Sequence, residues 1–104
     1  MENKKVNSEE LYRMWGESKV NVTQEFTDTI EYLIEKIADK YYNGVPGIEK
    51  FKVQTLPKVI EIRNKYQGYN NGEHAYGYFH VVIKSYLIGM IHKQMKDNNQ
   101  IKIR

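Results

Sequence analysis

The most regular hydrophobic pattern in the chain lies between residues 21 and 44. Apolar side chains recur there at every third or fourth position: Phe26, Ile30, Leu33, Ile34, Ile37 and Tyr41. This spacing places them on one face of an α-helix. Asn21, with Gln24 three residues later, fits a capping box at the start, and Gly44 and Pro46 end the helix. The pattern therefore predicts an amphipathic helix that packs on a core.

A shorter amphipathic segment, NSEELYRMWGES, precedes this helix. Asn7 or Ser8 can cap it, and Gly16 can end it. Its inner face would carry three apolar residues: Leu11, Met14 and Trp15. A Trp in such a helix usually fills a core, but Trp is also enriched at protein-binding hot spots. Both interpretations of Trp15 follow from the pattern.

The middle of the chain is ambiguous. FKVQT alternates like a strand, whereas Pro57 suits the first position of a helix. Three apolar residues then follow at helical spacing: Val59, Ile62 and Tyr66. Gly68 can end that helix, and we prefer a helix here to a strand, although β-branched residues are frequent in the segment.

The segment from Tyr69 to Gly72 reads Tyr-Asn-Asn-Gly and is a strong turn signal, because Asn and Gly tolerate a positive φ. In one geometry, Asn70 caps a long helix. In the other, residues 67–69 and 75–79 form a β-hairpin, and a helix starts near Val81. A fully helical segment would align four residues spaced four apart into a ridge: Gly77, Val81, Ser85 and Gly89.

Composition favours one domain without catalytic chemistry. The chain has 104 residues and no cysteine; we expect a single domain at 1–104, with a short helix at 1–20, a core at 21–98 and a basic tail at 99–104. No nucleophile elbow or phosphate-binding loop is present in the sequence. The three histidines, at 74, 80 and 92, do not converge in either geometry. We therefore expect no enzyme activity, cofactor or metal.

Charge is distributed unevenly along the chain. Residues 1–45 hold six basic and nine acidic side chains, whereas residues 46–104 hold ten basic and four acidic ones. Such asymmetry can mark a polyanion-binding half. Ile, Lys, Asn and Tyr supply 42 of the 104 residues, which suggests AT-rich coding in a low-GC bacterium or its mobile elements. The N-terminal sequence lacks a signal-like apolar segment, so we expect a cytoplasmic protein.

A helix followed by an aromatic hairpin, over roughly residues 47–83, resembles the recognition helix and wing of winged helix–turn–helix proteins. The fold class expected is therefore mainly α with a small β-hairpin, the alternative being an all-α four-helix bundle. The resemblance implies that a helix face with Asn64 enters the major groove of duplex DNA, and that the turn meets the backbone or minor groove. The expected DNA-binding residues are Lys50, Lys52, Lys58, Asn64, Lys65, Tyr69, Asn70, Asn71, Lys102 and Arg104.

The leading functional expectation is a small DNA-binding accessory or regulatory protein that acts in transcription, replication or plasmid transfer. The alternative is a helical protein-interaction module, such as a phage-encoded inhibitor or an immunity-type protein. Its partner would bind Trp15, the ridge at residues 77–89, or the acidic face of the first predicted long helix. That face is formed by Asp28, Glu31, Glu35 and Asp39. Residues 75–91 are strongly apolar and carry one charge, so a homodimer fits both hypotheses.

Overall fold

The fold is built from helices that pack against one side of a long C-terminal helix. The structure, a computed structural model, describes the backbone of residues 6–103 and the side chains of residues 6–97. The helices are α1 (Ser8–Glu17), α2 (Gln24–Tyr41), α3 (Ile48–Glu61), α4 (Tyr69–Gly72) and α5 (Ala75–Ile103), with a 3₁₀ turn at Arg63–Lys65. No strand occurs between residues 6 and 103. The all-α class is therefore confirmed, and the winged helix–turn–helix-like prediction with a β-hairpin is wrong.

Helix α5 shows why the hairpin does not form. Every fourth residue along it is buried, which is a helical and not a strand period: Ala75, Phe79, Ile83, Leu87 and Ile91. Helices α1, α2 and α3 all pack against α5. Gly77 lies on its exposed side, so it costs roughly 1 kcal/mol of helix propensity, which the packing of the aromatic residues offsets. The helix continues to Ile103, so the predicted tail has a helical backbone up to that residue.

The caps of the first two helices differ in how well the sequence predicted them. The Asn7 side chain accepts a hydrogen bond from the backbone N–H of Glu10 at 2.8 Å, so Asn7 caps α1. Asn7 was one of the two caps that the sequence predicted for this helix. Helix α2 is capped by Thr23, whose hydroxyl accepts from Phe26 N–H at 3.1 Å. The predicted cap at Asn21 is therefore wrong by two residues.

Helix α3 begins nine residues before Pro57, which lies inside it and not at its first position. Gly47, in the left-handed conformation at φ 82°, precedes the helix. Pro57 and Val53 both lie on the exposed side, where water can reach the carbonyl that the missing proline N–H leaves unpaired. The helix therefore tolerates the proline.

Arg63 and Asn64 close the connection between α1 and α2. The Arg63 guanidinium donates to the Ser18 carbonyl at 2.6 Å, and the Asn64 amide donates to the Lys19 carbonyl at 2.7 Å. The indole N–H of Trp15 donates to the Arg63 carbonyl at 3.0 Å. Trp15 is only 4% exposed, so it is a core residue and offers no surface to a partner.

The Asn-Asn-Gly segment is a left-handed turn and not a hairpin tip. Asn70 and Asn71 have φ of 53° and 55°, and Gly72 has φ of 80°. Asn tolerates this conformation better than other residues with a Cβ. The turn packs against α1, where Gly72 lies directly over the ring of Tyr12. It thereby fixes the point at which α5 begins.

Candidate nucleic-acid interface

The predicted DNA-binding lysines of α3 do not share one face. Lys50 and Lys58 are exposed and lie two turns apart. Lys52 instead turns toward α2, where its ammonium pairs with Glu35 at 2.9 Å and with Glu49 at 3.0 Å. These hydrogen bonds raise the Lys52 pKa, Glu35 contributing most. Lys52 is therefore occupied in an α2–α3 contact.

The remaining predicted residues are spread over several elements. Asn64 is held by the Lys19 carbonyl, whereas Lys65, at the end of the 3₁₀ turn, is exposed. Tyr69, Asn70 and Asn71 are exposed in the turn against α1 and not on a wing. Two predicted residues fall beyond the described side chains: Lys102 and Arg104. The helix and wing of the predicted interface are therefore not present as a unit.

Two groups of cations in the fold differ in their partners. Arg13 contacts the carboxylates of Glu10, Glu17 and Glu25 at 2.9–3.2 Å, and these contacts, that of Glu25 foremost, raise its pKa. Arg13 and Lys52 are therefore neutralised on the protein surface. Lys36, Lys40 and Lys84 form the second group, because they make no ion pair within residues 6–97 and each of them lies over a tyrosine ring.

These lysines lie over two tyrosine rings of α2, and Lys84 reaches its ring from α5. The ammonium of Lys84 is 4.1 Å from the centre of the Tyr41 ring, and that of Lys40 is 5.4 Å from it. Lys36, one helical turn before Lys40, lies 5.7 Å from the ring centre of Tyr32. Cation–π contacts of this kind hold a lysine in place without neutralising its charge. The positive charge therefore stays available to an anion.

His80 completes this cluster. Its ring contacts Tyr41 edge-on, with centroids 6.0 Å apart, and Tyr76, with centroids 5.7 Å apart. Burial lowers the pKa of His80 below its ordinary value, and the nearby positive charges of Lys84 and Lys40 lower it further. His80 is thus a partly buried histidine whose protonated form lies beside two positive charges. We call the set Lys36, Lys40, Tyr41, Tyr76, His80 and Lys84 the basic aromatic surface.

Reasoning from the sequence did not find this surface, although one signal for it was present. Lys84 is the single charge between residues 75 and 91. A lone lysine in an apolar helix either pairs with an acid or reaches solvent at an edge. The sequence does not show which residues of α2 lie opposite it, because that depends on how the two helices pack.

A second feature lies beside the exposed side of α5. It is a cavity of about 400 Å³ with mainly apolar walls, which we call the apolar cavity. Its walls include Tyr66, Tyr69, His74, Gly77, Tyr78 and Val81. Burial raises the pKa values of Tyr66 and Tyr78, and the Tyr66 hydroxyl has no hydrogen-bond partner within the part of the chain that the structure describes. An unpartnered buried hydroxyl is unusual in a folded protein.

Within residues 6–97, no three His, Asp or Glu side chains come together in a way that would hold a metal ion. Among the helices described, none combines the length and apolar composition that crossing a bilayer requires. No protein-family model, curated protein or solved structure matches the chain significantly. The basic aromatic surface and the apolar cavity are therefore the two candidate binding features of the described residues.

Proposed function

We propose that the protein is a small, non-enzymatic DNA-binding accessory or regulatory protein, and that the basic aromatic surface contacts the DNA. The observation that carries this proposal is that Lys36, Lys40 and Lys84 have no carboxylate partner within residues 6–97, while all three lie over tyrosine rings. Lysines supply the phosphate contacts that dominate affinity for nucleic acid, and they do so independently of sequence.

The tyrosines add a second kind of contact. Tyr41 is 44% exposed and Tyr76 is 36% exposed, so parts of both rings are accessible beside the lysines. Stacking of a base on an aromatic side chain contributes roughly 1–3 kcal/mol and tolerates any sequence. We therefore expect the protein to bind a single-stranded oligonucleotide at least as tightly as a duplex of the same length.

The test is fluorescence anisotropy of a labelled random-sequence oligonucleotide, single-stranded and duplex, at several salt concentrations. The variant Lys40→Ala/Lys84→Ala should lower the affinity and reduce the slope of log affinity against log salt by about one per lost phosphate contact. The matched control is Lys58→Ala/Lys65→Ala, which removes the same charge from the α3 region. Thermal unfolding of each variant checks that it is folded.

Three outcomes distinguish the hypotheses. A loss confined to Lys40→Ala/Lys84→Ala supports the basic aromatic surface. A loss confined to the control variant would place the DNA on the side of Lys58 and Lys65 and overturn the assignment made here. An absence of binding by the unaltered protein at low salt, where weak cationic surfaces still associate, would overturn the DNA-binding function itself.

The second candidate function, a helical protein-interaction module, is favoured by the apolar cavity. Tyr69 is 65% exposed and Val81 is 61% exposed at its rim. Exposed apolar surface of this kind marks protein-binding sites more often than it marks DNA-binding ones. A pull-down in which excess nonspecific DNA fails to displace a bound protein would favour this function over DNA binding.

A further inference from the structure

The outer face of α5 is a ridge of small residues. Gly77, Val81, Ser85 and Gly89 are all exposed. Each lies two positions from buried residues of the same helix, which at ~100° per residue places it on the side opposite the core. The ridge therefore faces away from α1, α2 and α3.

The folded monomer does not require the two glycines of this ridge. A Cβ added at Gly77 or Gly89 would meet no atom within 4 Å, and neither residue has a positive φ. Each nevertheless costs roughly 1 kcal/mol of helix stability compared with alanine. Close approach of another backbone to the helix would explain why glycine occupies these positions.

The ridge is also self-complementary in charge. Glu73, two residues before the start of α5, has a helical backbone conformation and lies four positions before Gly77, and Lys93 lies four positions after Gly89. Both are exposed, and neither makes an ion pair within residues 6–97. At ~1.5 Å per residue they lie about 30 Å apart along the helix, at equal distances from the level of Ile83. An antiparallel copy centred there would pair opposite charges at both ends.

An antiparallel copy centred at Ile83 also aligns the remaining residues of the four-residue repeat with one another. Gly77 would lie opposite Gly89 of the second copy, and Val81 would lie opposite its Ser85. Small residues would thus meet along the whole contact, which lets the two helix backbones approach closely. A parallel arrangement would instead place Glu73 beside Glu73 and Lys93 beside Lys93, which like-charge repulsion disfavours.

The apolar cavity adds an independent observation, because Gly77 and Val81 belong both to the ridge and to the cavity wall. Tyr66, which is 3% exposed and carries the unpartnered hydroxyl, is part of the same wall. The apolar surface thus continues from the ridge along one flank of α5. We propose that the outer face of α5 binds a second copy of this chain, antiparallel and related by a two-fold axis at the level of Ile83.

The first test is sedimentation equilibrium of the full chain with Gly77→Leu/Gly89→Leu. Leucine at these open positions favours the helix of the monomer, yet it prevents close approach of a second helix. We expect the unaltered protein to dimerise and this variant to sediment as a folded monomer at the same concentration. Gly16→Leu is the matched control, because Gly16 is also an exposed helical glycine with open space around it, and it should leave the dimer intact.

The second test determines the orientation. Glu73→Lys and Lys93→Glu should each replace two attractive contacts with two repulsive ones and weaken the dimer roughly tenfold. The double variant Glu73→Lys/Lys93→Glu should restore it. A strictly monomeric protein at the highest attainable concentration, a dimer insensitive to Gly77→Leu/Gly89→Leu, or a double variant that is not restored would each overturn the proposal.

Discussion

At the scale of single residues, Gly72 is required by both the backbone and the packing. Its φ of 80° lies in the left-handed region, and an added Cβ would overlap the ring of Tyr12. We expect Gly72→Ala to destabilise the fold by roughly 2–5 kcal/mol, the sum of left-handed strain and forced displacement of the ring. Urea denaturation with a two-state fit measures this loss.

Gly44 provides the matched control for Gly72. Its φ is 85°, but a Cβ added there meets nothing within 4 Å. Gly44→Ala should therefore lower the free energy of unfolding by the backbone strain alone, which is about 1–2 kcal/mol. Equal losses at the two positions would show that the turn moves away from Tyr12 without cost, and that it does not fix the start of α5.

His80 should make the stability depend on pH. Its folded pKa is lowered, chiefly by burial and further by Lys84 and Lys40, so the unfolded chain binds more protons near the ordinary pKa of about 6.5. The stability contribution is therefore fully present above that pH and is lost as pH falls through the folded pKa. Urea denaturation at several pH values should show this decline, and His80→Gln should remove it.

His92 is the control for this measurement, because it is exposed on the same helix. His92→Gln should leave the decline unchanged. A bound phosphate beside His80 would favour the protonated ring, so DNA binding by the unaltered protein should strengthen as pH falls. A His80→Gln variant with the same pH profile as the unaltered protein would contradict both expectations.

At the scale of helices, the start of α2 depends on Thr23. Its hydroxyl caps the helix, and its backbone N–H donates to the buried Ser18 hydroxyl at 3.0 Å. Thr23→Ala should cost about 1–2 kcal/mol of stability, the range for loss of a cap. Asn21→Ala, at the cap position that the sequence suggested, should change stability by less than about 0.5 kcal/mol, since Asn21 is exposed. Thermal unfolding of the two variants side by side would decide between the caps.

The sequence predicted this helix but not its first residue, because Asn21 and Thr23 are both good caps only two positions apart. Which one is used depends on Ser18, which lies in the preceding connection. Periodicity gave most of the apolar face of α2 correctly, because that face is buried from Phe26 to Ile37, but Tyr41 is 44% exposed. The register of a cap depends on contacts that periodicity does not contain.

The segment after residue 66 shows a different limit of structure prediction from the sequence. Asn70, Asn71 and Gly72 were correctly expected to turn the chain, and their positive φ values confirm it. Whether the chain then forms a strand or a helix depends on which residues become buried. The four-residue repeat from Ala75 to Ile91 decides for the helix, although Gly77 disfavours a helix and the aromatic residues of that segment favour a strand. Tertiary packing therefore overrides the local preference here.

The candidate site was less predictable than the fold. The uneven charge pointed to residues 46–104, whereas Lys36 and Lys40 of the basic aromatic surface lie in the acidic half, residues 1–45. Charge counting does not separate Lys52, which pairs with Glu35, from Lys84, which has no such partner in the described part of the chain. That distinction requires knowing which helices are neighbours.

At the scale of the whole molecule, the proposed dimer determines where the two DNA-binding surfaces lie. The two-fold axis of this dimer is perpendicular to both α5 helices. Rotation about the axis does not change any direction that is parallel to it. The flank of α5 that carries Tyr76, His80 and Lys84 therefore points to the same side in both copies. Lys84 is one residue from the centre at Ile83, so the two basic aromatic surfaces meet close to the axis and form one continuous face.

This arrangement predicts that binding depends on the length of the DNA. An oligonucleotide that spans both surfaces should bind the dimer more tightly than one that spans a single surface, because the second contact is intramolecular. Gly77→Leu/Gly89→Leu should remove this advantage while leaving affinity for the short oligonucleotide unchanged, and Gly16→Leu should alter neither. Anisotropy titrations with the two lengths measure the difference. An advantage that survives in a variant shown to be monomeric would mean that the surfaces do not act together, even if each of them binds DNA.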